Sequence, residues 1–271
     1  MEKEKKIFFH VGLGKTASTY LQNKVFPKLQ GVYYIHPTRY RRYQSIIETT
    51  NAEKYFISRE MDQQLEREVQ KISLIYPDTT PIIVLRDNAS WIVSQYKRFL
   101  KNGYPYRFNE FFDIDHDHGF WKIEDAALFP KLQVLEKYLK QKPVVLLYED
   151  LRAHPYEFID RIANCMGATF DKNEIPLEPH HTAYREKQLK VMLVISKFLF
   201  TKNPTYSGSR FNTWIRRRSR MLLCYIILYG SFLIPGFMVA RIKLVPEGEI
   251  EKIRAYYKSD WQACLNYASN I

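Results

Sequence analysis

The sequence predicts an α/β fold, a doubly wound parallel sheet flanked by helices and followed by a helical C-terminal extension. Three observations carry this expectation. Two short apolar runs, "PIIVLR" ending at Arg86 and "PVVLLY" ending at Tyr148, are rich in β-branched residues and show no polar alternation, as strands buried on both faces do. Helix-like segments alternate with the strand-like ones as far as Gly167. Beyond Gly167 the strand patterns stop and the chain reads as helices.

In chain order the expected strands are Lys6–Val11, Tyr33–His36, Tyr55–Ser58, Ile82–Arg86 and Val144–Tyr148. Between them the apolar spacing predicts helices over Ser18–Leu29, Met61–Ile75, Ala89–Asn102, Ala126–Lys140 and Tyr156–Met166. Residues 102–124 read as an aromatic loop. With 271 residues, 46% hydrophobic, and only 10 glycines and 13 prolines, the chain can bury a sizeable core and is not a disordered one. A single domain is expected over 1–271, with an α/β core in 1–170 and a helical part in 171–271 that contains the apolar segment 221–240. The net charge of +12 calls for anionic partners without choosing among them. Cys165, Cys224 and Cys264 are odd in number and widely spaced, which fits neither a disulfide framework nor a zinc pattern and suggests a cytoplasmic setting. The stretch "MEKEKKIFF" has no signal-peptide pattern.

The stretch "HVGLGKTASTYLQ", His10–Gln22, follows the first apolar run. A strand that passes through a glycine and lysine loop into a helix is suited to holding phosphate, because helix N-termini present backbone N–H groups. The nucleoside triphosphatase pattern G-x-x-x-x-G-K-[ST] fits "GKT" at Gly14–Thr16, but Phe9 occupies its first glycine position. The acids of "VVLLYED" could bind a metal ion, which leaves an ATP-dependent P-loop phosphotransferase as the alternative enzyme.

"KTAST" at Lys15–Thr19 resembles the 5′-phosphosulfate loop of the sulfotransferases that use 3′-phosphoadenosine 5′-phosphosulfate (PAPS). Three further features support the resemblance. Arg86 ends a buried strand, Ser94 follows eight residues later, and "YEDL" at Tyr148–Leu151 runs on from the end of the strand Val144–Tyr148. The resemblance covers Ile7–Gly167 and implies a P-loop-like sheet. It also implies that Gly14, Thr16, Ala17, Ser18 and Thr19 hold the 5′-phosphate, and that Arg86 and Ser94 hold the 3′-phosphate. Lys15 would stabilise the leaving bridge oxygen as the sulfuryl group departs. Ala17 stands where the family usually has glycine, and alanine resists a positive φ.

Transfer to an alcohol needs a base beside the acceptor. Glu60, in "YFISREMD", stands where glutamate-using members carry theirs, and His36 is the rival. No metal is required. His116 and His118 in "DHDHG" read as a solvated turn. Tyr104, Tyr106, Arg107 and Trp121 either cover the acceptor or pack as a loop. The expected activity is sulfuryl transfer from PAPS to a hydroxyl of a carbohydrate or glycolipid, by resemblance to bacterial members with the "KT(G/A)STxxQ" form. The non-enzyme alternative is a basic, membrane-associated nucleotide- or glycan-binding protein. Nucleic acid is not an expected partner, since no recognition motif accompanies the basic cluster.

Met221–Ala240 contains no charge, and Arg216, Arg217, Arg218 and Arg220 precede it. Gly230, Ser231, Pro235 and Gly236 interrupt it. Three readings stand: a broken hairpin on an anionic membrane surface at the inner face, a pair of core helices, or a membrane span.

Overall fold

The computed structural model describes residues 5–177, 184–202 and 209–269. The first elements are β1 (Lys6–Gly12), α1 (Ser18–Tyr20), β2 (Tyr33–Ile35), α2 (Tyr43–Thr49), β3 (Lys54–Ser58) and α3 (Leu65–Ser73). They are followed by β4 (Thr80–Leu85), α4 (Asn88–Lys101), α5 (Phe108–Phe111), α6 (Ile123–Ala126), α7 (Phe129–Tyr138) and β5 (Val144–Leu147). The rest is helical: α8 (Tyr148–Ala153), α9 (Pro155–Met166), α10 (Glu186–Leu199), α11 (Arg210–Gly230), α12 (Glu249–Tyr256) and α13 (Lys258–Ser269).

The five strands form one parallel sheet in the order β2-β3-β1-β4-β5. This is the doubly wound α/β fold expected. The order reverses at β1, so the switch point lies between β1 and β4, where open α/β sheets bind ligands outside the carboxyl ends of the strands. β4 is buried at every residue from Pro81 onward, which explains its unbroken apolar run, and β1 is buried from Ile7 onward although His10 interrupts its apolar residues; β5, at the sheet edge, is buried only at Val145 and Leu146.

Several boundaries differ from the sequence reading, each for a local reason. The helix expected over Ser18–Leu29 changes pitch twice, with a wide π turn at Leu21–Val25 and a tight 3-10 turn at Phe26–Lys28. Pro27 has no N–H and cannot continue the α ladder. α3 begins at Leu65 rather than Met61, because the Met61 N–H donates to Val11 O at 2.8 Å and holds the preceding chain along β1. Tyr148 opens α8 instead of closing β5. The helix expected over Ala126–Lys140 is divided between α6 and α7. The N-terminus of α7 is capped from far along the chain: Asp260 of α13 accepts from the N–H groups of Leu128 and Phe129 at 2.9 and 3.0 Å, and from Asn88 Nδ2 at 2.9 Å.

Two compact units form. The first is Met1–Asn88, Ala127–His180 and Tyr257–Ile271. It holds the sheet, with α13 packed on β5 and α7. The second is Ala89–Ala126 and His181–Tyr256. It has its own aromatic core, in which Trp91 meets Trp121 at 5.2 Å and Tyr96 meets Phe108 at 5.3 Å. α10 and α11 of this unit pack together. Within 221–240, α11 ends at Gly230, and short 3-10 turns follow at Ser231–Leu233 and Gly236–Val239. Among the described residues no helix is long and apolar enough to cross a membrane.

Candidate active site

The loop after β1 is built on backbone constraint. Gly12 has φ 113°, and a Cβ there would lie 3.1 Å from Met61 N and 3.3 Å from Glu60 Cα. Only glycine fits both the conformation and the approach. Lys15 and Ala17 adopt the left-handed conformation, with φ 70° and 63°. Ala17 therefore takes up the positive φ that its side chain resists, which costs an L-residue about 1–2 kcal/mol. Several bonds hold the turn in place. Leu13 N–H donates to Val84 O at 3.1 Å, and Leu21 N–H donates to Ala17 O at 3.1 Å. Thr16 Oγ1 and Ser18 Oγ both donate to Leu13 O, at 2.6 and 2.7 Å. Each hydroxyl has one hydrogen, so in this structure both serve the shape of the loop. Thr19 is exposed at the start of the helix.

Around the loop, the Gly14 N–H donates to Asp62 Oδ1 at 2.9 Å. Arg86 leaves the end of β4, and its Nη1 donates to the Lys15 carbonyl at 3.3 Å. The Arg86 guanidinium lies over the Tyr148 ring at 4.6 Å. Burial pushes its pKa down, while Tyr148 and Glu149 oppose the shift. An arginine so placed stays cationic because its pKa starts far above neutrality. The acids of "YED" have structural partners. Glu149 Oε1 accepts from Asp87 N–H at 3.3 Å, and Asp150 pairs with Arg161 at 3.4 Å.

Glu60 is half-buried in the segment that runs on from β3. Its neighbours extend the pairing with β1, Arg59 N–H to His10 O at 2.9 Å and Met61 N–H to Val11 O at 2.8 Å. Glu60 thus lies alongside the phosphate-type loop. His36 follows the outer strand β2 and caps the 3-10 turn Pro37–Arg42, with β3 between β2 and β1. Its ring is engaged by Thr38 Oγ1 at 2.9 Å and Asn23 Oδ1 at 3.1 Å. The structure therefore gathers Gly14–Ser18, Glu60 and Arg86 in the first unit. Ser94 lies half-buried in α4, in the second unit. There Trp121 and Tyr106 are buried, and Tyr104 lies under Arg220 at 4.6 Å, so these three pack as a loop. His116 and His118 stack in an exposed turn in which Asp113 Oδ1 accepts the N–H groups of Asp115 and His116. Among the described residues no three His, Cys, Asp or Glu side chains group as a metal site.

A buried polar network beneath the loop was not read from the sequence. His10 Nδ1 lies 2.8 Å from Ser58 Oγ, which also accepts from Gln22 Nε2 at 3.1 Å. All three residues are buried. Their signal was positional, since His10 and Gln22 bracket the motif. Burial pushes the His10 pKa down to about 3, so the ring is neutral. Its Nε2 is buried without a hydrogen-bond partner among the described residues.

The fold has a counterpart among solved structures. It is similar to that of the sulfotransferase from Alicyclobacillus acidocaldarius, with a TM-score of 0.50 over 71% of this chain and 92% of that one. Sequence identity is 13%, so the likeness is one of fold. No family model and no curated protein matches the sequence. The chain has the sulfotransferase fold, with the loop after β1 at the place where such sheets bind ligands.

Two outcomes follow. Ala17→Gly relieves the left-handed strain but frees the unfolded chain, for a net gain of up to about 1 kcal/mol in urea unfolding. Ala17→Val loses at least about 1 kcal/mol, because a β-branched residue is least tolerant there. Equal stability of the two variants would contradict the strain. For His10, the folded pKa lies below the unfolded value of 6.5, so the unfolded state binds the extra proton as pH falls. The stability is complete above pH 6.5 and falls by about 2 kcal/mol between there and pH 5. His10→Asn should remove that component, and an unchanged pH dependence would show that His10 titrates normally.

Proposed function

We propose that this chain is a sulfotransferase, that its 271 residues act as one such domain, and that it moves a sulfuryl group from PAPS to a hydroxyl of a glycan or glycolipid. One observation carries the reading: the Arg86 guanidinium meets the Lys15 carbonyl at 3.3 Å, joining the left-handed loop after β1 to the end of β4 at the switch point. A cation and a helix-opening loop at that place suit a nucleotide with more than one phosphate. The Gly14 N–H donates to Asp62 Oδ1 at 2.9 Å, so in this reading the phosphate takes the place of that carboxylate.

In this reading the backbone N–H groups of Gly14, Thr16, Ala17, Ser18 and Thr19 hold the 5′-phosphate, and Arg86 with Ser94 holds the 3′-phosphate. Glu60 takes the acceptor proton as the acceptor oxygen bonds to sulfur. The bond from sulfur to the bridging phosphate oxygen breaks, and Lys15 stabilises the charge left there. The products are a sulfate ester and adenosine 3′,5′-bisphosphate.

The test is transfer from labelled PAPS to a panel of glycans and glycolipids. Lys15→Ala should lower turnover roughly 10²–10³-fold. Glu60→Gln should abolish transfer while donor binding persists. Wild-type turnover in both variants, or dependence on ATP as donor, would overturn the assignment.

A further inference from the structure

Among the described residues, α11 has two apolar faces, one covered and one exposed. Cys224, Ile227 and Leu228 point inward with Ser231, whose hydroxyl donates to Leu228 O at 2.6 Å. Gln188 of α10 donates to the same carbonyl at 3.0 Å and fixes the helix pair. Leu222, Ile226 and Tyr229 follow one another at helical spacing on the other side, and all are exposed. The 3-10 turns beyond the helix continue the apolar surface, with Leu233 89% and Phe237 79% exposed. A monomer surface rarely leaves so contiguous an apolar patch open without a partner.

The charge around this face selects the partner. Between Glu186 and Glu247 the chain has eleven lysines and arginines and no aspartate or glutamate, nearly the whole net charge of +12. Some of these cations are used locally. Lys190 pairs with Glu186 and Lys202 with Glu110, and Arg220 donates to the Asn102 and Gly103 carbonyls. Arg218 lies over the Trp214 ring at 5.8 Å, and Arg216, Arg217 and Arg218 are all solvent-exposed one to two turns before the apolar stripe, whatever contacts they make within the chain. A second copy of the chain would bring the same positive face against this one. A nucleic acid would use the arginines and leave the apolar stripe in water. An anionic bilayer surface satisfies both features, since apolar side chains enter the acyl boundary while arginines meet phosphate headgroups. Trp214, Tyr225 and Tyr229 are exposed on the same helix, and amphipathic aromatics favour that boundary.

We propose that the outer face of α11, with the turns at Ser231–Leu233 and Gly236–Val239, docks on an anionic lipid surface without crossing it. This assignment is independent of the sulfuryl-transfer reading. The experiment is co-sedimentation of the full chain with phosphatidylcholine vesicles, with and without phosphatidylglycerol, at low and high salt. Binding is expected on the anionic vesicles at low salt, about tenfold or more weaker on the neutral ones, and reduced by salt. Two variants divide the contributions: Leu233→Asp with Phe237→Asp, and Arg216→Gln with Arg217→Gln and Arg218→Gln. Each should lose binding by about tenfold or more, with an unchanged thermal melt. Failure of the wild-type chain to bind either vesicle would overturn the proposal. So would full retention of the aspartate variant on anionic vesicles, because charge alone would then account for binding. A concentration-dependent dimer by light scattering, abolished by the aspartate variant, would assign the face to a second copy instead.

Discussion

The hydrogen bond from Arg86 Nη1 to the Lys15 carbonyl is the contact on which the candidate site depends. β1 and β4 are neighbours in the sheet, but the chain goes on from β1 to β2 at one edge and from β4 to β5 at the other. Something must hold the two ends together if one ligand is to be gripped by both. The Lys15 carbonyl is presented because Lys15 is left-handed, and Leu13 ties the same loop to Val84 of β4. Gly12 lets the segment carrying Glu60 approach closely from the other side. Three strand ends thus meet over five residues, Leu13–Ala17.

Beneath them the polar contacts are few and committed. His10, Ser58 and Gln22 join β1, β3 and the helix that follows the loop. A neutral histidine suits this place, because a buried imidazolium would need a counter-charge. The loop is therefore positioned from below by neutral hydrogen bonds, while the charged groups Lys15, Glu60, Asp62 and Arg86 gather around it. Such a division of labour favours a preformed site whose charges are arranged before the ligand arrives.

Much of this was legible because it is local. β1 and β4 announce themselves as apolar runs, and the loop by its glycine, lysine and hydroxyl residues. Gly167 ends α9 in the left-handed conformation expected of a glycine cap. What stayed hidden depends on partners distant in sequence. Asp260 lies 172 residues from Asn88, yet it receives hydrogen bonds from Asn88, Leu128 and Phe129. Asp62 is an unremarkable acid in "REMD" until the fold sets it against the Gly14 N–H. The uncharged run at 221–240 could be a core pair or a surface by pattern alone. Only the structure shows that one side of α11 is covered and the other open.

The central claim concerns a ligand with two separated phosphates, and its direct measurement is calorimetric titration. Adenosine 3′,5′-bisphosphate and ATP are titrated separately into the chain, each with and without magnesium. The account predicts that the bisphosphate binds more tightly than ATP, binds without metal, and loses affinity on Arg86→Ala by about tenfold or more. Tighter, magnesium-dependent binding of ATP, with the bisphosphate indifferent to Arg86→Ala, would contradict it.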